Sequence, residues 1–460
     1  MPLLTLPKAI EQKVIIKYSA FKKIQSVLVY LAFITGIWGN YLFTIDVGPF
    51  NLFPYRIILL VLWVIGIVQV IMVGRLSVPH RKVFPFLIFL GIWLLWAFAS
   101  LLWAASKTDG IRGVIFLFTG STIILFTLLY LQTSEKLDHL YVLLICVYVA
   151  LIPVGFWETL TGTHLPISRL YNTLRIHQRY APTTFFVNPN DYAAYIILSW
   201  PLLFTRIQYS KRWPFRIIGS MALISSWYLL FKTSSRAGYI AFLFQIIFWF
   251  LVIVRPRTQI RFTIIVLIIT CLLLLTFPSK TTQIEHILQT QLIEFNFEDF
   301  ISTNASNMTR FNLLRNAFIF FCDSLGFGVG AGNVDFYMER EGIFPTGQVY
   351  NTHNWWMELL ANYGLLIFLG YLIFYITLLG RIALKYRHTI TGMDKALNTA
   401  LQIALVGFLI VSVSPSSVMA FRPQWMLISF SLAYLNYKYQ HIPGSANMVP
   451  RPITDSTEKG

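Results

Sequence analysis

The chain has 460 residues, 56% of them hydrophobic and only 12% charged, with a mean hydropathy of +0.65. That balance excludes a soluble globular protein and places the sequence among polytopic membrane proteins. The formal net charge of +17 comes from Lys and Arg scattered between apolar runs; topology and anionic lipid account for such a pattern, and no nucleic-acid partner is expected.

The chain begins with Lys8, Lys13, Lys17, Lys22 and Lys23 before its first apolar run and lacks a small-residue cleavage site there, so it reads as a retained cytoplasmic flank and not a signal peptide. At about 20 apolar residues per crossing, spans fall near 25–45, 55–74, 84–104, 112–131, 139–160, 190–205, 215–233, 236–254, 262–277, 355–380, 396–414 and 424–437. The expectation is an all-α polytopic membrane protein of about twelve transmembrane helices. Its expected parts are a bundle of about nine spans over 1–277 with a loop at 161–189, a large loop at 278–354, three further spans within 355–437 and a tail at 438–460. On this topology 23 of the 36 Lys and Arg lie on the side of the termini and 13 on the other. The positive-inside rule then expects a multi-pass cell-membrane protein with both termini cytoplasmic and 278–354 extracytoplasmic. The short spans at 190–205 and 424–437 decide this count, because losing one flips everything between them.

Of the 13 outer cations ten are arginine: Arg56, Arg112, Arg169, Arg175, Arg179, Arg236, Arg310, Arg315, Arg340 and Arg422. Arginine's planar fork grips phosphate bidentately. Several could instead pair with Glu158, Asp191 or loop carboxylates, but the set exceeds what pairing on a small surface requires, which points to an anionic ligand. The 161–189 loop carries Arg169, Arg175, His177 and Arg179 and ends in Asn188-Pro189-Asn190-Asp191, where Asn190 or Asp191 can cap the next helix. Between the seventh and eighth spans, Thr233-Ser234-Ser235-Arg236 is so short a turn that Arg236 must sit at the interface, where a charge needs a partner or a ligand.

Within 278–354, residues 283–295 and 310–321 show helical apolar spacing. The run Gly326-Phe327-Gly328-Val329-Gly330-Ala331-Gly332-Asn333 lacks a Walker A lysine and a surrounding βαβ unit, so it reads as a tight irregular turn and not a nucleotide loop. Asn351-Thr352-His353-Asn354 then opens an apolar helix on which Asn354, Glu358 and Asn362 recur at i, i+4 and i+8. Such a polar stripe should face protein or a wet cavity and not lipid. Three cysteines (Cys146, Cys271, Cys322) give neither a disulfide framework nor a metal-ligand spacing, and Asp-X-Asp, His-Glu-X-X-His and Gly-X-Ser-X-Gly are all missing. No metal and no cofactor is expected. What remains is His353 at a helix start on the side of the arginines.

Phe185-Phe186-Val187-Asn188-Pro189-Asn190-Asp191-Tyr192-Ala193, Ser234-Ser235-Arg236-Ala237-Gly238, Arg310-Phe311-Asn312 leading into Leu325-Gly326-Phe327-Gly328, and Thr352-His353-Asn354 through Glu358 to Asn362-Tyr363-Gly364 form an ordered set. Over about 185–365 that set resembles the O-antigen ligase family, which also contains O-antigen and capsule polymerases and teichuronic-acid biosynthesis proteins. The resemblance implies a GT-C-like, metal-independent, inverting glycosyltransferase. Such an enzyme joins a glycan from an undecaprenyl-diphosphate carrier to a glycan, lipid or protein acceptor outside the cytoplasmic membrane. It implies Arg236 and Arg310 as diphosphate ligands, His353 as the residue near the acceptor, and Arg179 as the arginine preceding the Asn-Pro-Asn motif; Asn354 and Glu358 complete the expected substrate-binding set. One position departs from the family pattern: Asn362 stands where a glutamate is usual before Tyr-Gly, which raises Glu358 as its substitute. A transporter or flippase of lipid-linked saccharides is the alternative, but it favours midplane charges and internal repeats, neither of which the sequence shows.

Overall fold

The structure is a computed structural model that describes residues 8–441 apart from 40, 42, 48–49, 75, 173–177, 262, 265–304 and 387–391. The described chain is almost wholly helical: α1 Lys8–Trp38, α2 Pro54–Val73, α3 Phe84–Ser100, α4 Lys107–Tyr130, α5 Ser134–Thr161, α6 Pro189–Tyr209, α7 Trp213–Lys232, α8 Arg236–Phe248 with a π-turn to Ile253, α9 Ala305–Asp323, α10 Val334–Glu341, α11 Trp355–Tyr386, α12 Gly392–Val411 and α13 Arg422–Gln440. One hairpin joins α1 to α2, with β1 (Ile45–Val47) antiparallel to β2 (Phe50–Leu52).

Nine of the described helices are long and apolar enough to cross a membrane. They correspond to nine of the twelve expected spans and make this a multi-pass membrane protein. Side chains such as Ile71, Leu95, Ile218 and Ile373 stand exposed on these helices, as lipid-facing positions must. The expected span at 262–277 and the helix at 283–295 lie outside the described residues. The two short spans, 190–205 and 424–437, are present as α6, of 21 residues, and α13, of 19. Neither is among the nine apolar helices, because both run through the bundle interior. Gln245 shows how the interior accepts such polarity. From α8 it takes a hydrogen bond from the Trp200 indole at 2.6 Å and donates to the carbonyls of Ile197 and Ile403, both at 2.9 Å. One amide thereby ties α8 to α6 and α12 and leaves none of its groups unsatisfied.

Hydrogen bonds sort the loops to two ends. At one end Trp103 bonds the Gly328 carbonyl, Ser106 bonds Asn333, Asn188 bonds Ser416 and Ser235 bonds Ser414. At the other, Tyr18 meets Ser77, His80 meets Asn436, Lys136 meets Ser26 and Arg381 meets Lys82. The first is the His353 end.

The glycine run of 326–332 closes this end. Helix α11 breaks at Gly364, whose backbone (φ 80°, ψ −179°) no L-residue adopts readily. The break frees the carbonyls of Ala361 and Asn362, and the amides of Val329 and Gly330 take them at 2.8 and 3.0 Å, while Leu365 donates to Gly326. The run packed against the kink thus satisfies these three groups, and the Trp96 indole donates to the Tyr363 carbonyl at 2.8 Å. The two segments approach so closely that a Cβ on Gly328 would lie 2.6 Å from the Gly364 nitrogen.

Candidate active site

His353 stands just before α11 in the left-handed region, at φ 49°, a conformation that costs a non-glycine residue about 1 kcal/mol or more and must be held by its surroundings. Two neighbours hold it. The next residue but one, Trp355, donates its amide to the Ser412 carbonyl at 3.0 Å, and the ring Nδ1 lies 3.4 Å from the Ser414 carbonyl. A carbonyl can only accept, so Nδ1 carries the proton and Nε2 presents a lone pair. Burial, then the nearby guanidinium of Arg310, and also Arg169, hold the imidazole below its ordinary pKa, so it is neutral at pH 7 and able to take a proton.

Arg310 is the hub of the positive charge. It projects from α9, half-buried, and burial together with Arg236 and Arg169 pulls its own pKa down. Arg236 opens α8 behind Ser234, another left-handed residue at φ 56°, and Ser235, whose hydroxyl caps the helix and meets the Ser414 hydroxyl at 3.2 Å. Among the described residues neither Arg236 nor Arg310 has a carboxylate within ion-pair reach. Like charges kept together without a counter-ion cost energy, which an anionic ligand would recover.

The remaining candidates sort into framework and site. Arg179 does not join the cluster: its Nε reaches the Gly162 carbonyl at 3.4 Å, and its own carbonyl accepts from buried His164. Among the described residues of this loop, Arg169, ten residues earlier, acts on His353 and Arg310. Asn354 caps α11, its Oδ1 accepting from the Trp356 and Met357 amides at 3.0 and 3.1 Å. Glu358 accepts from the Ser417 hydroxyl at 2.8 Å and the Val418 amide at 3.0 Å. Asn362 donates to the Glu358 carbonyl and accepts from the Val334 amide. The polar stripe therefore bonds to protein, and at Glu358 and Asn362 it also borders a cavity. Glu158 is not an arginine partner either, since its carboxylate takes the Thr183 and Thr184 amides at 2.6 and 2.7 Å. Arg175 and His177 lie outside the described residues.

The cap of α6 corrects the sequence expectation. Asn188, and not Asn190 or Asp191, is the cap: its Oδ1 accepts from the Asp191 amide at 2.9 Å. Pro189 occupies the first helical position, where its missing N–H is no loss, so the helix starts earlier than expected. Asp191 is left to accept from the Ser416 amide at 3.3 Å and the Asn188 side chain at 2.8 Å.

These contacts converge on the 412–421 loop, which sequence reasoning passed over. Ser412 and Ser414 hold the His353 turn, Ser416 meets Asn188 and Asp191, and Ser417 and Val418 meet Glu358. Beside it, Asp335 and Glu358 line a cavity of about 210 Å³ with Asp109, Arg112 and Tyr363. Burial pushes Asp335 up to about 7, Asp109 adding to the rise against the opposing hydrogen bond from Asn351. No group of three or more His, Cys, Asp or Glu able to hold a metal ion occurs among the described residues.

The arrangement offers guanidinium groups to hold a polyanion and a neutral imidazole to accept a proton. Comparison with known proteins shows the family. The family model for O-antigen ligase matches residues 220–372, the segment containing Arg236, Arg310 and His353. The chain is also 32% identical over 415 residues to the teichuronic acid biosynthesis protein TuaE of Bacillus subtilis (strain 168), an alignment covering 89% of this chain and 84% of that protein. By these matches the chain belongs to the O-antigen ligase family and works in surface polysaccharide biosynthesis.

Proposed function

We propose that this protein transfers a glycan from a polyprenyl-diphosphate carrier, undecaprenyl diphosphate in kind, to an acceptor hydroxyl at the outer face of the cytoplasmic membrane. The observation that carries the reading is Arg236 and Arg310 held together near neutral His353 with no described carboxylate to neutralise them. In this reading His353 Nε2 takes the acceptor's proton as its oxygen attacks the anomeric carbon. The bond from that carbon to the diphosphate oxygen breaks, and the electron pair leaves with the diphosphate. Arg236 and Arg310, with Arg169 beside them, stabilise the charge that develops there. A single displacement inverts the anomeric centre, and the guanidinium groups supply the positive charge, so the step needs no metal. Glu358 and Asn354 support the site by fixing the 412–421 loop and the α11 start.

The test uses purified protein, a synthetic polyprenyl-diphosphate glycan and an acceptor in metal-free buffer. Release of free polyprenyl diphosphate with a glycan of inverted linkage is expected; translocation of the intact lipid-linked glycan without bond breaking would make the protein a flippase. The outer placement rests on the excess of Lys and Arg at the opposite end of the bundle. In a cysteine-free background, an impermeant thiol reagent added to cells should label Tyr171→Cys and not Ser210→Cys; the reverse pattern would turn the site inward.

A further inference from the structure

A second group of arginines sits apart from the His353 cluster. Arg56 opens α2 and Arg422 opens α13, and with Arg112 they line a cavity of about 390 Å³, within the range of about 300–1,000 Å³ usual for small-ligand pockets. The guanidinium groups of Arg56 and Arg422 lie 5.0 and 5.1 Å from the centroid of one ring, that of Phe53, and Arg56 is also 5.5 Å from Phe116. Backbone contacts fix both. Arg56 donates to the Asn51 carbonyl at 2.7 Å, and Arg422 reaches across to the Gly36 carbonyl at 2.7 Å. Gly39, at φ 65°, makes room for it: a Cβ there would lie 2.7 Å from Arg422 Nη2.

Cation–π contact offsets part of the cost of desolvating these charges but does not cancel their mutual repulsion. Among the described residues neither Arg56 nor Arg422 makes an ion pair. Asp191, the carboxylate that acts electrostatically on Arg422, is already engaged by Ser416 and Asn188. Among the described residues each fixed fork makes one backbone hydrogen bond, which leaves further N–H donors beside the aromatic walls of the cavity. Flat apolar rings flanking charge-assisted donors suit a sugar ring that carries an acid.

We propose that this cavity is a subsite for an anionic sugar of the glycan, its carboxylate or phosphate held by Arg56 and Arg422 and its ring lying on the aromatic wall. The inference rests on the glycan-transfer reading and adds a charge requirement to the substrate. The 412–421 loop joins the two regions, because Ser416 and Ser417 line the cavity while Ser414 holds His353. A sugar bound here lies next to the transfer centre without occupying the diphosphate arginines.

The experiment measures binding to full-length protein in nanodiscs. Its probes are a hexuronate oligosaccharide, the same oligosaccharide with its carboxyl groups reduced, a sugar 6-phosphate disaccharide, short-chain phosphatidylglycerol and polyprenyl diphosphate. At least one acidic sugar should bind ten-fold or more tightly than the neutral one, and Arg56→Gln and Arg422→Gln should each remove that preference while polyprenyl-diphosphate binding persists. Arg56→Gln covers the case in which losing the Gly36 contact unfolds the Arg422 variant. Equal binding of acidic and neutral sugars, or an acid preference surviving in Arg56→Gln, overturns the inference. Binding of phosphatidylglycerol but of neither acidic sugar also overturns it, making this a lipid-headgroup site. Loss of polyprenyl-diphosphate binding in the unaltered protein would instead defeat the glycan-transfer reading.

Discussion

The carboxylate of Glu358 accepts the Ser417 hydroxyl at 2.8 Å, so the first turns of α11 and the 412–421 loop are fastened to each other by a half-buried acid. Glu358→Gln replaces one of two acceptor oxygens with a donor that faces the Val418 amide or the Ser417 hydroxyl. The expected loss is about 1–3 kcal/mol, read as a lower Tm, with transfer slowed because Ser414 and hence His353 lose their support. An unchanged Tm would show that the contacts with Asn188, Asp191, Ser235 and Trp355 hold the loop without Glu358.

His353 should govern the pH dependence of transfer. Its base form is the neutral one, and its pKa is held below the ordinary value of about 6.5. Activity is therefore present above that lowered pKa and is lost as pH falls through it, so the acid limb of kcat/KM should have its midpoint below 6.5. Arg310→Gln removes a charge that disfavours imidazolium, and the limb should move to higher pH. His353→Ala should cost about 10²–10⁴ in transfer while leaving polyprenyl-diphosphate binding in place; loss of that binding in a folded variant would make His353 a donor ligand.

Charge alone should not replace the arginine fork. Arg236→Lys and Arg310→Lys keep the formal charge but cannot make two parallel hydrogen bonds to one phosphate. Each should weaken polyprenyl-diphosphate binding about ten-fold or more by isothermal titration. Wild-type affinity in both variants would assign the diphosphate to other residues.

The kink in α11 is an obligate glycine position. Gly364→Ala would place a methyl group against the Gly326 and Phe327 backbone, in a conformation already unfavourable to alanine, so folded yield in detergent should fall sharply. Gly380→Ala, with open space around it and ordinary helical backbone, is the control and should fold like the parent.

Much of the fold is legible from apolar runs, since burying backbone polar groups in hydrocarbon leaves few options besides helices. The interior helices were legible only as weak spans: α6 and α13 carry Ser199, Thr205, Ser429 and Asn436 against protein and not lipid, so their hydropathy is low for a physical reason. Arg236, Arg310 and His353 were readable because each sits in a short motif. The choice of Arg169 over Arg179 was not, since an irregular loop has no period from which to read which side chain turns inward. Nor could the sequence disclose that Arg56, Arg112 and Arg422, far apart along the chain, line one cavity, or that the serine-rich stretch at 412–417 is the crossing point of the site.

The burial of α13 sets an order on assembly. This helix leaves the ribosome after every other described helix, yet it fills the interior between helices made long before, and it brings in Arg422 together with the loop that fixes His353. Its low apolarity gives it little tendency to enter lipid unaided, so it must partition into a groove kept open by the earlier helices. A chain made only as far as α12 can therefore reside in the membrane while the proposed site still lacks the loop that fixes His353, and that site is completed only when α13 docks.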